Sequence, residues 1–239
     1  MSPILLVTGG SQGIGAATAR LAASRGYRVA LTYQRAADLA EQVLADIRAA
    51  GGVAIAVQAE MADEASIVAL FQTVDREFGP VDAVVSNAGI TGPTATIDQV
   101  TTQILDEVMG VNVRGPFLVI REATARMAVM ASNDLDARLI AVFTQGGDTA
   151  RLISKERPTV PVVAFSPSEV VRRRLGLLWG VTARVMEPLG DTDEMVESVQ
   201  AHLLASGMVT PGDRIVVVFG APIAIKGSTN TVRVHQVGG

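Results

Sequence analysis

A glycine-rich turn near the N-terminus constrains the fold of this chain more than any other feature. Residues Thr8–Gly15 read T-G-G-S-Q-G-I-G, follow the apolar run Ile4–Val7, and lead into a helical pattern with Ile14, Ala17 and Leu21 on one face. Glycines let a backbone approach a phosphate closely, and the free N–H groups and positive dipole end of a helix favour its charge. The sequence therefore predicts a strand, a turn and a helix that form a phosphate site.

The rest of the first half alternates apolar runs with helical patterns. The runs predict strands at Arg28–Tyr33, Val53–Gln58 and Val81–Ser86. Helices are predicted from the spacing of Leu39, Val43 and Ile47, from that of Ile67, Leu70, Phe71, Val74 and Phe78, and over Asp98–Met127 with an interruption near Gly115–Pro116. Repeated strand–helix units imply right-handed crossovers and a parallel sheet.

The second half has the same alternating character. Strands are predicted at Arg138–Phe143, Val162–Ser166, Val181–Met186, Ile215–Phe219 and Thr231–Val237. Helices are predicted near Ser168–Leu175, around Met195, Val199 and Leu203, and after Phe143, where Asp148 and Thr149 could cap the helix. The predicted fold class is a Rossmann-like three-layer α/β fold with mostly parallel sheets, in two packed halves, with an antiparallel strand near the C-terminus.

Composition excludes several classes of function. The chain has no cysteine, which rules out disulfides, thiol catalysis and thiolate metal sites, and its two histidines, His202 and His235, are far apart. No apolar run approaches the roughly 18 residues of a membrane span, and the N-terminus lacks the basic start of a signal peptide. A net charge of −4 provides no basic surface for nucleic acid. We therefore expect a cytoplasmic protein with neither a membrane nor a nucleic-acid partner.

Three motifs in the first half together resemble the short-chain dehydrogenase/reductase family. They are T-G-G-S-Q-G-I-G at 8–15, S-N-A-G at 86–89 and V-N-V-R-G at 111–115, and they follow the order and spacing of that family over roughly residues 3–127. The resemblance implies a strand order of 3-2-1-4, with a dinucleotide lying across the carboxyl ends of the strands. That position agrees with the general rule for ligands of open α/β sheets.

The resemblance also implies which residues would bind the cofactor. Phosphate contacts would come from Gly9, Ser11, Gln12, Gly13, Ile14 and Gly15, ribose contacts from Tyr33, Gln34 and Arg35, adenine contacts from Glu60 and Met61, and the segment under the ribose from Asn87, Ala88 and Gly89. Arg35 stands where an acidic residue would bind the 2′-hydroxyl of NAD, and an arginine favours the 2′-phosphate of NADP. The expected ligand is thus NADP, bound weakly because half of the family's site is missing.

The catalytic pattern of that family is incomplete in this chain. The family uses a Tyr-x-x-x-Lys pair, whereas the only tyrosines are Tyr27 and Tyr33, and neither is followed by Lys four residues later. The only lysines are Lys155 and Lys226. Asn112 matches the family's catalytic asparagine but has no tyrosine to support. The sequence therefore predicts no catalytic residue, no metal and no enzyme activity.

The second half resembles a different family, the C-terminal domain of pyruvate kinase, over about residues 130–239. The motifs are F-T-Q-G-G-D-T-A-R at 143–151, P-V-V-A-F-S-P at 161–167, G-M-V-T-P-G-D-R-I-V-V-V-F-G-A-P at 207–222 and G-S-T-N-T-V-R-V at 227–234. The resemblance implies a regulatory domain that binds a sugar phosphate, here through Thr144, Gln145, Gly146, Gly147, Asp148 and Thr149. The barrel that holds the active site of pyruvate kinase is absent, so phosphoryl transfer is not expected.

Two resemblances in one chain lead us to predict an engineered chimera with domains at 1–130 and 131–239, keeping weak NADP(H) binding. The alternatives are an NADP-dependent oxidoreductase of the short-chain dehydrogenase type and a binding module for sugar phosphates or other anions. The strand Arg138–Phe143 could extend the first sheet or lie at the centre of a second one, and we favour two separate lobes. A homodimer could cover the apolar edge left by a cut sheet.

Overall fold

A computed structural model describes residues 2–94, 96–188, 191–220 and 229–239. The chain divides into two compact units, Met1–Glu122 and Ala123–Gly239, and each contains its own β-sheet. Residues 221–228, which include Lys226 and parts of two motifs of the second half, lie outside the described residues.

The first unit is a parallel α/β arrangement. Its elements are β1 (Ile4–Val7), α1 (Gly13–Ser24), β2 (Arg28–Tyr33), α2 (Ala37–Ala49), β3 (Ala54–Gln58), α3 (Glu64–Glu77), β4 (Ala83–Val85), a 3-10 helix (Ile97–Gln99), α4 (Thr102–Met109), a π-helical turn (Gly110–Arg114) and α5 (Gly115–Asp134), which continues into the second unit. The sheet order is β3-β2-β1-β4, with all described pairings parallel. Because β2 and β4 lie on opposite sides of β1, the carboxyl end of β1 is a topological switch point.

Helix α1 packs on the sheet through small residues. Its buried face consists of Gly15, Ala16, Ala19, Ala22 and Ala23, and the four alanines belong to one core cluster with side chains of β1 and β2. The predicted apolar face is wrong in its orientation, because Ile14 and Leu21 are exposed. Alanine side chains allow the helix to lie close to the sheet, and this places the start of α1 directly beside the end of β1.

The interruption predicted near Gly115–Pro116 is present as the π-helical turn Gly110–Arg114, directly before the first residue of α5. The chain passes from α4 through the π-helical turn without a break. A Cβ at Gly115 would lie 2.6 Å from the Met61 carbonyl oxygen, so only glycine allows this approach of helix and loop. Pro116 follows in the first turn of α5, where its missing N–H is tolerated.

The second unit is a mixed α/β arrangement. Its elements are β5 (Leu139–Phe143), α6 (Asp148–Lys155), β6 (Val162–Ser166), α7 (Glu169–Leu175), β7 (Val181–Val185), α8 (Thr192–Ala205), β8 (Arg214–Gly220) and β9 (Thr229–Gln236). The sheet order is β7-β6-β5-β8-β9, and only the β8–β9 pairing is antiparallel among the described strands. Of the two alternatives for the strand at Arg138–Phe143, the structure has the second: β5 does not extend the first sheet but lies at the centre of a second one.

Each face of the second sheet is covered, since alternate residues of β5 enter different cores. Leu139 and Phe143 pack in a cluster with Met195 of α8, whereas Ile140 belongs to a cluster with Ile153 of α6. The predicted fold class, a three-layer Rossmann-like α/β fold with mostly parallel sheets and an antiparallel strand near the C-terminus, is confirmed. None of the described helices combines the length and hydropathy needed to cross a bilayer.

Candidate functional site

The turn between β1 and α1 is held by backbone hydrogen bonds to β2. The Gly9 N–H donates to Thr32 Oγ1 at 3.0 Å, and the Gly10 N–H donates to the Thr32 carbonyl oxygen at 2.8 Å. Gly9 and Gly13 have φ angles of +64° and +55°, in the left-handed region that favours glycine. The turn therefore has a fixed path from the sheet to the first residue of α1.

Three glycines of the turn, Gly9, Gly10 and Gly15, are required by close approach, and Gly13 faces open space. A Cβ at Gly15 would lie 2.3 Å from the Gly9 carbonyl oxygen, and a Cβ at Gly9 would lie 2.8 Å from the α-carbon of Ala88. By contrast, a Cβ at Gly13 would have no heavy atom within 4 Å. The turn is thus closely packed on its protein side and open at Gly13, where a ligand can approach the backbone.

The N-terminus of α1 is open to an anion. Gln12 is the N-cap residue and its side chain makes no capping hydrogen bond, and the first turn contains no acidic residue. The first N–H groups of a helix have no partner within it, and the helix dipole adds positive potential there. Gln12, Gly13 and Ile14 are exposed and Ser11 is half-buried, so the predicted phosphate residues surround these amides on the surface.

Thr8 and Asn87 tie the end of β4 to the turn. The Thr8 hydroxyl oxygen accepts from the Asn87 N–H at 2.9 Å and from the Ala88 N–H at 3.0 Å. The Asn87 amide donates in turn to the carbonyl oxygens of Thr8 and Gly9, at 3.0 and 3.1 Å. The predicted segments 9–15 and 87–89 are therefore brought together at the switch point.

Thr8 was predicted only as the first residue of the glycine turn, with no contact assigned to it, and Thr32 was not predicted; each is only 1% exposed. Both hydroxyls accept backbone N–H groups of the predicted segments rather than facing a ligand. A signal for these two residues exists in the sequence: each is a threonine at or just after the end of an apolar strand. A hydroxyl at that position can accept the backbone N–H groups of a neighbouring turn.

The ends of β2 and β3 carry the residues predicted to meet the adenosine. The Gln34 side chain donates to the Glu60 carboxylate, which also accepts from the Ala62 N–H at 3.0 Å. Gln58 Nε2 donates to the Gln34 carbonyl oxygen at 2.9 Å. Glu60 is thus turned towards its own loop and β2, while Met61 is buried beside it.

Arg35 differs from its neighbours because its side chain is exposed and unpaired. Within residues 2–94 and the other described ranges, its guanidinium makes no ion pair or hydrogen bond. Tyr33, two residues earlier, is half-buried and packs against the core of the first unit. A free guanidinium at the end of β2 suits a phosphate, since arginine presents several donors in one plane.

Asn112 holds the loop that follows β4. Its Oδ1 accepts from the Ile90 N–H at 2.8 Å and its Nδ2 donates to the Ile90 carbonyl oxygen at 2.7 Å. The residue lies in the π-helical turn, and such turns are frequent at functional sites. Asn112 therefore fixes the backbone just beyond the predicted residue Gly89.

The predicted phosphate segment of the second unit, Thr144–Thr149, follows β5. Thr144 Oγ1 accepts from the Gly147 N–H at 3.0 Å, and the Thr149 hydroxyl bonds to that of Thr229. The predicted capping role of Asp148 and Thr149 is wrong: the N-cap is Gly147, at φ +93°, and the two residues begin α6. Asp148 pairs instead with Arg151 at 3.2 Å.

A parallel sheet with a glycine turn at its switch point defines the first unit as a Rossmann-type nucleotide-binding fold. The family model described as short chain dehydrogenase matches residues 3–151, and the model described as the alpha/beta domain of pyruvate kinase matches residues 122–235. The chain belongs to the short-chain dehydrogenase family. Its composition is chimeric, because its C-terminal part matches a pyruvate kinase domain.

The similar proteins are of the same two kinds. The protein named uncharacterized oxidoreductase YgfF of Escherichia coli is 45% identical over 126 residues, which are 53% of this chain and 51% of that protein. A pyruvate kinase of Clostridium acetobutylicum is 42% identical over 107 residues, 45% of this chain and 23% of that enzyme. The chain thus spans about half the length of the first relative and less of the second.

Solved structures of short-chain dehydrogenases share the fold. One from Burkholderia cenocepacia, in complex with NADP, matches with a TM-score of 0.51 and 28% sequence identity. The match covers 69% of this chain and 73% of the Burkholderia chain. A variant of a Serratia marcescens short-chain dehydrogenase/reductase matches with a TM-score of 0.51 and 26% sequence identity. This match covers 87% of this chain and 93% of the Serratia chain.

The prediction that the chain is not an enzyme is wrong. The family match over residues 3–151, the oxidoreductase relative and the NADP-complexed structural neighbour all point to an enzyme. The prediction relied on the missing Tyr-x-x-x-Lys pair and on the absent pyruvate kinase barrel. The match to the family depends instead on residues 3–151, which include the predicted cofactor segments.

Proposed function

We propose that this chain is an NADP(H)-dependent oxidoreductase of the short-chain dehydrogenase type, with the nucleotide at the carboxyl ends of β1, β2 and β4. The observation that carries the proposal is the open N-terminus of α1 beside the free guanidinium of Arg35. The first accepts a pyrophosphate and the second a 2′-phosphate.

The residues present fit this cofactor on structural grounds. The space above Gly13 is open, whereas side chains at Gly9 and Gly15 would collide with the backbone or the Asn87 side chain. The anchoring of Gly9 by Thr32 and of Asn87 by Thr8 means that little backbone ordering remains to be done when the nucleotide binds. Such preorganisation lowers the cost of binding.

In this proposal a bound cofactor would supply the hydride, and the chain would position it. Gly9–Gly15 would hold the pyrophosphate and Arg35 the 2′-phosphate, while Asn112 holds the loop at Ile90. The proton that a carbonyl reduction consumes would come from solvent, because the chain has no Tyr-x-x-x-Lys pair to donate it. Water can reach the loop after β4, since Gly89 and Thr91 are exposed.

The proposal is tested by titrating the purified chain with NADPH and NADH, following nicotinamide fluorescence and the melting temperature together. We expect saturable binding of NADPH and slow NADPH oxidation with a panel of ketones and aldehydes. Binding without turnover at any substrate would remove the oxidoreductase assignment and leave a cofactor-binding protein. Absence of binding at millimolar NADPH would remove both.

Replacing Arg35 with alanine tests the preference for NADP. We expect the Kd for NADPH to rise about 10- to 100-fold, which corresponds to losing one charge-assisted contact of about 1.5–3 kcal/mol. The Kd for NADH and the melting temperature should not change, because the side chain has no protein partner among the described residues. Arg25→Ala, at an exposed arginine after the other end of α1, is the control. Equal losses for NADPH and NADH would contradict the assigned role.

Three further points remain predictions from the sequence: the weakness of NADP binding, the engineered origin of the chain, and sugar-phosphate binding by Thr144–Thr149. The last is tested by adding fructose 1,6-bisphosphate to the protein and measuring its melting temperature. Stabilisation that a Gly146→Asp variant abolishes would support a phosphate site after β5.

A further inference from the structure

Two large apolar side chains are exposed at the turn that leads from α7 into β7, over residues 176–180. Leu177 is 88% exposed and Trp179 is 51% exposed, whereas Leu178 between them packs against a core cluster of the second unit. Exposed apolar side chains that lie close together mark interaction surfaces more often than singly scattered ones do. This α7–β7 turn is therefore a candidate interaction surface.

The ends of α6 and α7 hold the α7–β7 turn in a fixed position. Ser154 Oγ donates to the Trp179 carbonyl oxygen at 2.8 Å, and the Leu177 N–H donates to the Arg174 carbonyl oxygen at 3.2 Å. Arg157 lies just beyond α6 with a φ angle of +47°, which is uncommon outside glycine. Its guanidinium lies over the Trp179 ring, 5.5 Å from the ring centroid. The two exposed side chains are thus presented by an ordered backbone.

Basic side chains come from both segments that hold the turn. Two belong to the end of α6 and the residues just after it, and two to the last turn of α7; all four are exposed: Lys155, Arg157, Arg173 and Arg174. The side chains of Lys155 and Arg174 make no hydrogen bond or ion pair within the described residues. Their ammonium and guanidinium groups are therefore available to an anionic partner.

The charge of this part of the chain is opposite in sign to that of the whole. From Arg151 to Arg184 there are seven basic residues and only two acidic ones, whereas the chain as a whole has a net charge of −4. The two acidic residues, Glu156 and Glu169, are each paired with an arginine, at 3.5 and 2.6 Å. The basic groups beside the turn are thus only partly neutralised, and they attract anions.

A lipid surface accounts for these features better than a nucleic acid does. Nucleic acids bind aromatic rings by stacking on an open face, and the Arg157 guanidinium already lies over the Trp179 ring. Leu177, the more exposed of the two apolar residues, has no group that recognises a base or a phosphate. At a membrane interface, by contrast, leucine enters the acyl boundary, tryptophan lies at the level of the headgroups and basic side chains contact anionic lipids.

We propose that the α7–β7 turn is a docking site for an anionic membrane surface. Leu177 and Trp179 enter the headgroup region, and Lys155, Arg157 and Arg174 contact lipid phosphates. Such docking is peripheral and reversible, because the apolar part is a single turn and each basic residue adds only a weak attraction. The prediction that the chain has no membrane partner relied on the lack of a spanning run, which surface binding does not require.

The test is the fluorescence of Trp179 in the full chain, without nucleotide, during titration with phosphatidylcholine vesicles that contain or lack phosphatidylglycerol. Trp179 is the only tryptophan of the chain, so every change in tryptophan emission reports on the turn. We expect a shift of the emission to shorter wavelength, and co-sedimentation of the protein, with the anionic vesicles only. High salt should reverse both effects, since it screens exposed charges.

Paired variants separate the turn from the rest of the surface. Arg174→Glu should raise the apparent dissociation constant for anionic vesicles about 10- to 30-fold, and Leu177→Ser about tenfold or more. Arg25→Glu and Leu21→Ser make the same changes at exposed residues of the first unit, and these variants should bind like the parent chain. Circular dichroism melting checks that each variant is folded.

An emission spectrum that anionic vesicles leave unchanged at low ionic strength would overturn the proposal. So would equal binding to vesicles without phosphatidylglycerol, or losses for Arg25→Glu and Leu21→Ser as large as those for the variants of the turn. A shift that appears with rising protein concentration and no vesicles would identify a second copy on this surface, and one that only an oligonucleotide produces would identify a nucleic acid. Either result would also overturn the proposal. The outcome is independent of the proposed function, since no nucleotide cofactor is present in the assay.

Discussion

A Gly15→Val variant is expected to lose detectable NADPH binding and to be less stable by about 3 kcal/mol. The new Cβ would lie 2.3 Å from the Gly9 carbonyl oxygen and 2.6 Å from Asn87 Nδ2. These atoms belong to the turn itself and to the bond between the turn and β4, so neither can move without opening the site. Forced overpacking of this kind commonly costs about 1–3 kcal/mol, and backbone neighbours place this position at the upper end. Calorimetric titration and chemical denaturation measure the two effects.

Two alanine variants separate a collision from backbone strain. Gly13 and Gly26 both have positive φ, +55° and +88°, and a Cβ at either would meet nothing within 4 Å. Each variant should therefore lose about 1–2 kcal/mol of stability from the left-handed conformation alone. Gly13→Ala should also weaken NADPH binding, because its methyl group enters the ligand's side of the turn, while Gly26→Ala should not. If Gly15→Val binds NADPH like Gly26→Ala, the turn is not the cofactor site.

Local patterns in the sequence predicted the elements well because each is encoded over a short range. The strand Arg28–Tyr33 and the buried residues Val43 and Ile47 follow directly from apolar runs and helical spacing. The strand order β3-β2-β1-β4 did not come from such patterns. It followed from the resemblance in three motifs, and the pairings of β1 with β2 and β4 agree with it.

Features that depend on packing could not be read from the pattern. Ile14 is apolar and correctly spaced, yet it is exposed because alanines form the buried face of α1. Apolar character alone does not distinguish a close-packed alanine face from an exposed isoleucine. The pairing of β5 also required the structure, since both family resemblances placed a strand at that position and each gave it different neighbours.

The site itself was predicted as a set of segments and not as a bonded network. The sequence indicated Gly9–Gly15 and Asn87–Gly89 from motifs, but the bonds that join them to each other and to β2 pass through Thr8 and Thr32. Hydrogen bonds between residues far apart in the chain leave no periodic signal in a single sequence. Likewise, the adenine contact of Glu60 stays a prediction, and no feature of the sequence indicates that its carboxylate is bonded to the Ala62 N–H and Gln34.

The network at Thr8 leads to the second large expected effect. A Thr8→Val variant keeps the shape of the side chain but removes the hydroxyl acceptor shared by the Asn87 and Ala88 N–H groups. A buried donor that loses its partner costs about 1–3 kcal/mol, and two such donors are affected here. We expect the free energy of unfolding of the first unit to fall by about 2–4 kcal/mol. Hydrogen exchange should also accelerate at residues 87–90.

Thr8→Ser is the matched control, since it keeps the oxygen and removes only a methyl group. The free energy of unfolding should fall by about 1 kcal/mol, and NADPH affinity should remain close to that of the parent chain. Thr8→Val should weaken NADPH binding as well, because Asn87 also holds the carbonyl oxygens of the glycine turn. If valine is tolerated as well as serine, the hydroxyl does not organise the site. The link between the end of β4 and the turn would then depend on the Asn87 side chain alone.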